Sequence, residues 1–235
     1  MPAARVPALS VLMLAGAALV MAAFARPASA QARGSSFPRL EVGGGGGAAG
    51  GVSFGDRDAN LLTNSTSGAP FRLFATSTEL RPAVALELRL GYRMTPRLAA
   101  EGRLTFARPS LVVSISQDAE DASPVEATSR LTEYVVEGGA SWRLSVDARR
   151  QWIPFVSGGA GLARHVHDGR ALAENGVAAY AGAGALYGLG TPRGLAPRRT
   201  GLRFDVRLQV LSGGVAEGAG ASPRVVATAG AFVAF

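Results

Sequence analysis

The chain has 235 residues, of which 48% are apolar and 17% are charged, and its formal net charge is +7. It contains no cysteine, which excludes a disulfide-stapled domain, a thiolate metal site and a cysteine nucleophile. All 24 basic residues are arginines, and they are scattered among apolar segments. This distribution argues against nucleic-acid binding, which requires a concentrated basic helix or stripe.

The N-terminus is typical of a secretory signal peptide, which we assign to residues 1–30. Arg5 supplies the positive start, residues 8–25 form an apolar helical core, and the sequence Ala-Ser-Ala ending at Ala30 is a small-x-small cleavage site. We therefore predict export, with cleavage after Ala30 and Gln31 as the first mature residue. An uncleaved membrane anchor is the alternative, because the apolar run is nearly long enough to span a bilayer.

The domain that follows, residues 31–235, alternates apolar and polar side chains. Its opening segment is rich in glycine but keeps this rhythm, with Leu40 and Val42 set against Arg39 and Glu41. Strict alternation over several residues is the pattern of a half-buried β-strand. The domain is therefore predicted to begin with a strand.

The clearest alternation runs from Val84 to Tyr92, where the even-numbered residues are apolar and the odd-numbered ones are small or charged. After a break at residues 94–96, the same pattern resumes from Leu98 to Phe106. Two long strands joined by a tight turn are predicted.

The pattern returns at residues 134–144 and 202–210. Three further segments, near residues 153–166, 176–190 and 224–235, are rich in glycine and alanine. We interpret them as strands, although their composition does not reveal which side chains face which way. Together these segments predict eight strands.

The connections between the strands alternate in length. Long polar or turn-rich connections follow the first, third, fifth and seventh strands, at 53–79, 109–130, 166–175 and 213–223. The other three connections are shorter or intermediate in length, at 94–96, 145–151 and 191–200. Four long and three shorter connections predict an all-β fold, an eight-stranded antiparallel up-and-down transmembrane β-barrel with both termini on the short-turn side.

The composition of the two faces predicts which one meets lipid. The apolar stripes carry large aliphatic residues with aromatics at their ends, as in interfacial girdles, whereas the polar stripes carry both signs of charge close together. The interior of an eight-stranded barrel is just wide enough to be filled by side chains, so opposed charges can neutralise one another there. The predicted lumen charge network consists of Glu87, Arg89, Glu101, Arg103, Glu133, Glu137, Arg143, Arg203, Asp205 and Arg207.

Three segments carry a resemblance to a known family: EVGGGGGAAGG from Glu41, WIPFVSGGAGLA from Trp152 and AGAFVAF from Ala229. With them, the domain resembles the small bacterial outer-membrane β-barrel proteins of the OmpA transmembrane-domain and OmpX type. The resemblance implies a Gram-negative outer-membrane location, with Phe235 and Val233 as a C-terminal signal read by the barrel-assembly machinery. Unlike full-length OmpA-type proteins, the chain is expected to lack a periplasmic peptidoglycan-binding domain.

We predict no catalytic, cofactor-binding or metal site. His165, His167 and Asp168 are better interpreted as a cluster at the barrel rim than as a metal site, because one strand supplies too few ligands. Some barrels of this kind are lipid A deacylases with a His-x-Ser motif, but here a second histidine replaces the serine. The glycine run at residues 43–47 lacks the Gly-Lys-Ser/Thr of a phosphate loop, and we interpret it as allowing close packing or bending at the barrel seam.

The expected function is therefore non-enzymatic, a structural or surface-interaction role carried out through extracellular loops. The expected partners are outer-membrane lipid, lipopolysaccharide and the barrel-assembly machinery, with no cofactor and no nucleic acid. A narrow pore for ions or small solutes is the alternative, although open porins have 16–18 strands. A lipid A-modifying enzyme is the least expected of the three.

Overall fold

The computed structural model describes residues 38–61, 71–116, 123–145, 151–169, 172–189, 199–214 and 221–235. The predicted signal peptide and its cleavage site at Ala30 lie outside these residues. Within the described part of the chain, no helix has the length and apolar character needed to cross a membrane.

The described residues contain eleven strands, all paired antiparallel. They are β1 (Leu40–Ala49), β2 (Val52–Leu61), β3 (Phe71–Leu80), β4 (Ala83–Arg93), β5 (Leu98–Ala107), β6 (Ser110–Ser116), β7 (Val125–Arg143), β8 (Trp152–His167), β9 (Ala173–Leu189), β10 (Arg199–Gly213) and β11 (Ser222–Ala234).

Eight of these strands form a closed barrel. They pair in the order β7, β5, β4, β1, β11, β10, β9 and β8, and β8 pairs again with β7 to complete the ring. The predicted eight-stranded antiparallel barrel is thereby confirmed. The start of β1 meets the end of β11, where the Phe235 N–H donates to the Leu40 carbonyl at 2.8 Å. We call this the terminal end of the barrel and the opposite end the loop end.

The side chains of the barrel strands alternate between two environments. On β4 the even-numbered side chains are exposed, from 76% at Val84 to 44% at Tyr92, while Ala85, Glu87 and Arg89 are buried. The predicted facing of this strand is therefore confirmed. An apolar exterior and a charged interior invert the usual arrangement of a barrel that folds in water.

The structure also settles the facing of the glycine- and alanine-rich strands. On β8 the odd-numbered residues Phe155 and His165 are buried, and on β11 the even-numbered residues Arg224, Val226 and Phe232 are buried. Composition could not assign these directions, because alanine and glycine are compatible with both environments.

The loop end is built differently from the prediction. Strands β2, β3 and β6 and residues 125–130 of β7 continue the barrel wall as a four-stranded sheet in the order β2, β3, β6, β7. The interpretation of residues 53–79 and 109–130 as connections without strands was therefore wrong. The amides and carbonyls of β2, β3 and β6 pair with those of neighbouring strands as a ladder, which satisfies the backbone more fully than a loop would.

An apolar cluster holds this extension to the barrel. It consists of buried side chains from the extension and from the adjoining barrel strands: Val52, Phe54, Leu80, Leu111 and Leu131. The extension therefore has a core of its own, and the loop end of the lumen is bordered by apolar side chains.

The glycines of β1 allow the first and last barrel strands to approach closely. A Cβ atom at Gly47 would collide with the backbone of Ala227 and Thr228, and one at Gly45 would collide with the backbone of Ala229. The interpretation of these glycines as close packing at the barrel seam is borne out.

We expect Gly47→Ala to destabilise the barrel, because the methyl group must push β1 away from β11. The free energy of unfolding should fall by about 1–3 kcal/mol, as for other overpacked sites. Gly102→Ala is the matched control, since a Cβ there meets no atom within 4 Å. Urea titration of the folded barrel in liposomes measures both variants, and equal stabilities would contradict close packing at the seam.

Candidate functional site: the barrel lumen and its outer surface

A cluster of apolar side chains lies in the lumen near the terminal end. Phe155, Leu186, Phe232 and Ala234 are buried against one another there. Buried charged side chains from opposite walls of the barrel fill the interior beside and beyond this cluster.

Glu101 on β5 is the centre of the first charged group, which we call the lower network. Its carboxylate accepts two hydrogen bonds from Arg203 on β10, at 2.8 and 3.1 Å. It also accepts one from Arg103 at 2.9 Å and one from the Ser141 hydroxyl at 2.6 Å. The bidentate bond between β5 and β10 crosses the lumen, because these strands are not neighbours in the barrel.

Two other carboxylates complete the lower network. Glu41 lies 2.7 Å from Arg89 and 3.1 Å from Arg143, and it lies 3.6 Å from Arg93. Asp205 lies 3.0 Å from Arg203 and 3.2 Å from Arg103. The following side chains therefore form one continuous set of ion pairs, joined by the 3.6 Å contact between Arg89 and Glu101: Glu41, Arg89, Arg93, Glu101, Arg103, Arg143, Arg203 and Asp205.

A second group, the upper network, lies nearer the loop end. Both oxygens of Glu133 accept hydrogen bonds from Arg224, at 2.9 and 2.7 Å, and Glu133 also lies 2.9 Å from His165. Arg224 also donates a hydrogen bond to the side-chain oxygen of Gln209 at 2.7 Å. The side-chain amide of Gln209 in turn donates to the Glu137 carboxylate. This group joins β7, β8, β10 and β11 across the lumen.

Arg207 and Glu87 form a separate pair at 2.7 Å between β10 and β4. Aromatic rings inside the barrel also contact the cations. The Arg203 guanidinium lies 3.9 Å from the centre of the Phe155 ring, and the Arg103 guanidinium lies 5.0 Å from that of Tyr180. Cation–π contacts of this kind strengthen when the cation has lost its water.

All ten residues proposed from the sequence for the lumen lie inside the barrel. Nine are buried, and the Arg143 side chain is 12% exposed. The structure divides them among three groups rather than one. Six belong to the lower network, Glu87 and Arg207 form the separate pair, and Glu133 and Glu137 belong to the upper network.

Several members of the networks were missed from the sequence. Glu41 and Arg93 stand on the polar face of well-predicted strands, so the alternation alone could have identified them. Gln209 likewise stands on the polar face of the strand predicted at 202–210, whereas Arg224 gave a weaker signal because it lies in an alanine-rich segment of unassigned facing. His165 was expected at a loop edge, but it is buried on β8 against Glu133. His167 lies 3.4 Å from Glu174 at the end of the same strand.

Little space remains between the interior side chains. Charged side chains line two small voids, with volumes of about 10 and 20 Å³. A void of this size has room for about one water molecule. Among the described residues, no group of three or more histidine or acidic side chains is arranged to hold a metal ion.

The outer surface carries a continuous belt of exposed apolar side chains. Every one of the eight barrel strands contributes to it, for example through Val42, Leu88, Leu104, Val136, Leu162, Leu189, Val206 and Val225. We call this surface the apolar belt. Its width on β4, from Val84 to Tyr92, is close to the 9–11 residues of a strand that crosses a bilayer.

Aromatic side chains lie at both edges of the apolar belt. At the terminal end, the Trp152 ring centre lies 4.9 Å from that of Tyr187 and 5.8 Å from that of Phe204. Near the loop end, the ring centres of Phe106 and Tyr134 are 5.4 Å apart.

The two residues predicted as a C-terminal assembly signal lie at the terminal end. Phe235 is exposed and Val233 is partly buried, and both are on the outward-facing side of the last strand. Whether the assembly machinery reads them stays a prediction.

The chain is similar in structure to Neisserial surface protein A, with a TM-score of 0.51 and 14% sequence identity. The match covers 83% of this chain and 97% of that protein. The barrel fold is shared.

Two weaker similarities accompany it. The outer membrane protein OprG from Pseudomonas aeruginosa gives a TM-score of 0.48 at 13% identity, over 85% of this chain and 97% of that one. The attachment invasion locus protein Ail of Yersinia pestis gives 0.41 at 12% identity, over 83% and 99%. No family model matches the sequence, and no curated protein matches it. The more specific resemblance to the OmpA and OmpX types stays a prediction.

We expect Glu101→Gln to destabilise the barrel strongly, because it leaves buried arginines without their common carboxylate. Breaking a buried ion pair on one side costs about 3–5 kcal/mol. Glu126→Gln is the matched control, since the Glu126 pair with Arg81 is 52–56% exposed and should contribute at most about 1 kcal/mol. Urea unfolding of both variants in the same detergent gives the comparison, and similar stabilities would show that Glu101 does not organise the lumen.

Proposed function

We propose that the protein is an integral barrel of the bacterial outer membrane, exported by its signal peptide, with a non-enzymatic structural or surface-interaction role. The observation that carries this proposal is the apolar belt, which surrounds the barrel while the ionised side chains face inward. In water this arrangement would expose a large apolar surface, whereas in a bilayer the apolar belt contacts the hydrocarbon chains of the lipids. The shared fold with Neisserial surface protein A supports the proposal.

The two ends of the barrel suggest how it is oriented. The terminal end holds the start of β1, the C-terminal residue Phe235 and the tight turn at residues 94–97, and short turns mark the periplasmic side of such barrels. The loop end carries the four-stranded extension made by β2, β3, β6 and β7. We propose that this extension faces the environment and provides the interacting surface. Contact with lipid, lipopolysaccharide and the assembly machinery belongs to the same proposal.

A narrow pore is the second candidate, because the lumen is lined by charged side chains. The ion pairs weigh against it, since Glu101 joins β5 to β10 and Arg224 joins β11 to β7 across the interior. A permeating ion would have to break these pairs and replace their hydrogen bonds. A lipid A-modifying activity has less support, because His165 is buried against a carboxylate rather than placed beside a serine.

The membrane location is tested by a lipid-phase quencher and a probe placed at each residue from 84 to 92 of the reconstituted protein. We expect quenching at Leu86, Leu88 and Leu90 and none at Glu87 and Arg89, because the former are exposed and the latter are buried. Leu88→Arg should cost roughly 2–4 kcal/mol in the bilayer, as charges do near its midplane. Quenching at the odd positions, or water contact at every even one, would exclude insertion in this register.

Planar bilayer recordings distinguish the closed barrel from a pore. We expect little steady conductance from the wild-type protein, because the lower and upper networks occupy the lumen. A variant that removes two cross-lumen links, Arg203→Ala with Arg224→Ala, should conduct more if it stays folded. Large and stable channels in the wild type would favour the pore.

A further inference from the structure

Arginines project from one side of the barrel just beyond the apolar belt, at the loop end. Arg108 follows β5, Arg130 lies on β7 and Arg164 lies on β8, and all three are exposed. They occupy outward-facing positions, since they continue the alternation of Phe106, Tyr134 and the other belt residues. The Arg108 guanidinium lies 5.7 Å from the centre of the outward Phe106 ring. We call these three residues the arginine row.

Strand register brings the members of the arginine row together. Phe106 pairs with Tyr134, and Tyr134 pairs with Arg164, so Arg108 lies beside residue 132 of β7, next to Arg130. Neighbouring strands are about 4.8 Å apart and residues rise about 3.3 Å, which places the three Cα atoms roughly 8–14 Å from one another. On β9, exposed Asn175 is the cross-strand partner of Arg164 and adds an amide donor to the same surface.

The arginine row carries three positive charges, and the carboxylate-bearing Asp168 lies beside it, where the Asp168 N–H donates to the Arg130 carbonyl at 3.1 Å. Among the described residues, none of its three members forms an ion pair, whereas Arg81, at the same end of the barrel, is paired with Glu126 at 3.0 Å. The nearby carboxylate of Asp168 accepts a hydrogen bond from the Thr132 hydroxyl at 3.3 Å.

The row is also confined to one side of the barrel. On the other strands, the first outward residues beyond the belt are uncharged: Gly50, Pro82, Ser212 and Pro223.

We propose that the arginine row binds the phosphate groups of an anionic lipid in the outer leaflet, of the bisphosphorylated lipid A class. This inference rests on the proposed outer-membrane function and names the lipid that one side of the barrel recognises. A guanidinium binds phosphate through two parallel hydrogen bonds, and arginines several ångströms apart fit a headgroup that carries more than one phosphate.

The position of the row favours a lipid over a soluble anion. Headgroups lie where the apolar belt ends, and the Phe106 and Tyr134 rings mark that level on the same strands. A lipid bound there would place its phosphates against the arginines and its acyl chains against exposed Leu162 and Val136. A soluble polyanion would use the charges alone and would gain nothing from the adjoining apolar surface.

Native mass spectrometry of the detergent-solubilised full chain tests the proposal with four probes: bisphosphorylated lipid A, its monophosphorylated form, phosphatidylcholine and a sulfated oligosaccharide without acyl chains. The variant Arg130→Gln with Arg164→Gln removes two members of the row. The control, Arg81→Gln with Arg97→Gln, removes the same charge from exposed positions outside it. We expect the row variant to bind bisphosphorylated lipid A roughly 30-fold more weakly, and the control to bind it like the wild type. Circular dichroism checks that both variants remain folded.

Three results would overturn the inference: unchanged binding by the row variant, an equal loss in the control, or equally tight wild-type binding of a sulfated oligosaccharide without acyl chains. Stronger binding of the bisphosphorylated than of the monophosphorylated lipid supports the inference.

The quencher scan separates this inference from the proposed outer-membrane function. If the scan shows lipid contact but lipid A binding does not depend on the row, only this inference fails. If the scan shows no lipid contact, the proposed function itself fails.

Discussion

Ionised side chains that have lost their water must find partners, and this requirement governs the interior of the barrel. A buried carboxylate or guanidinium costs several kcal/mol unless another charge and hydrogen bonds compensate it. The partners here come from distant strands: Glu101 on β5 is held by Arg203 on β10, and Glu133 on β7 is held by Arg224 on β11. These bonds exist only when the barrel is closed, so closure and neutralisation occur together.

The same charges penalise errors of register. Because side chains alternate with a period of two, a slip of one residue would turn every charged residue of a strand outward and every aliphatic one inward. On β4 such a slip would place Glu87 and Arg89 in the apolar belt and Leu88 among the ion pairs. In the middle of the β1–β11 seam, between the buried charges Glu41 and Arg224, glycines and alanines that fit either face carry little such information. There the register is constrained instead by close backbone contact at Gly45 and Gly47.

The barrel could be predicted from the sequence because the contrast between leucines and charges on strands such as β4 is strong. The pairing of the charges could not be predicted from the sequence. The partner of Arg207 is Glu87 on a distant strand, although Asp205 is only two residues away on the same strand. The extension was missed for a different reason. Strand β2 is rich in polar residues and is interrupted by Gly55 at φ +81°, so it lacks the alternation that marked the barrel strands. Its pairing with β3 is visible only in three dimensions.

The extension leaves strand edges beyond the barrel, and its sequence limits what they can bind. Among the strands that the structure describes, β2 ends the sheet order on one side, and an unprotected edge strand invites pairing with other chains. A register irregularity between Ser53 and Asp56, at the positive-φ glycine, interrupts the ladder, and exposed Asp56 and Asp58 follow it. Irregular geometry and negative charge both oppose the addition of another strand. Recognition at this end of the molecule should therefore depend on side chains of the extension rather than on its backbone edge.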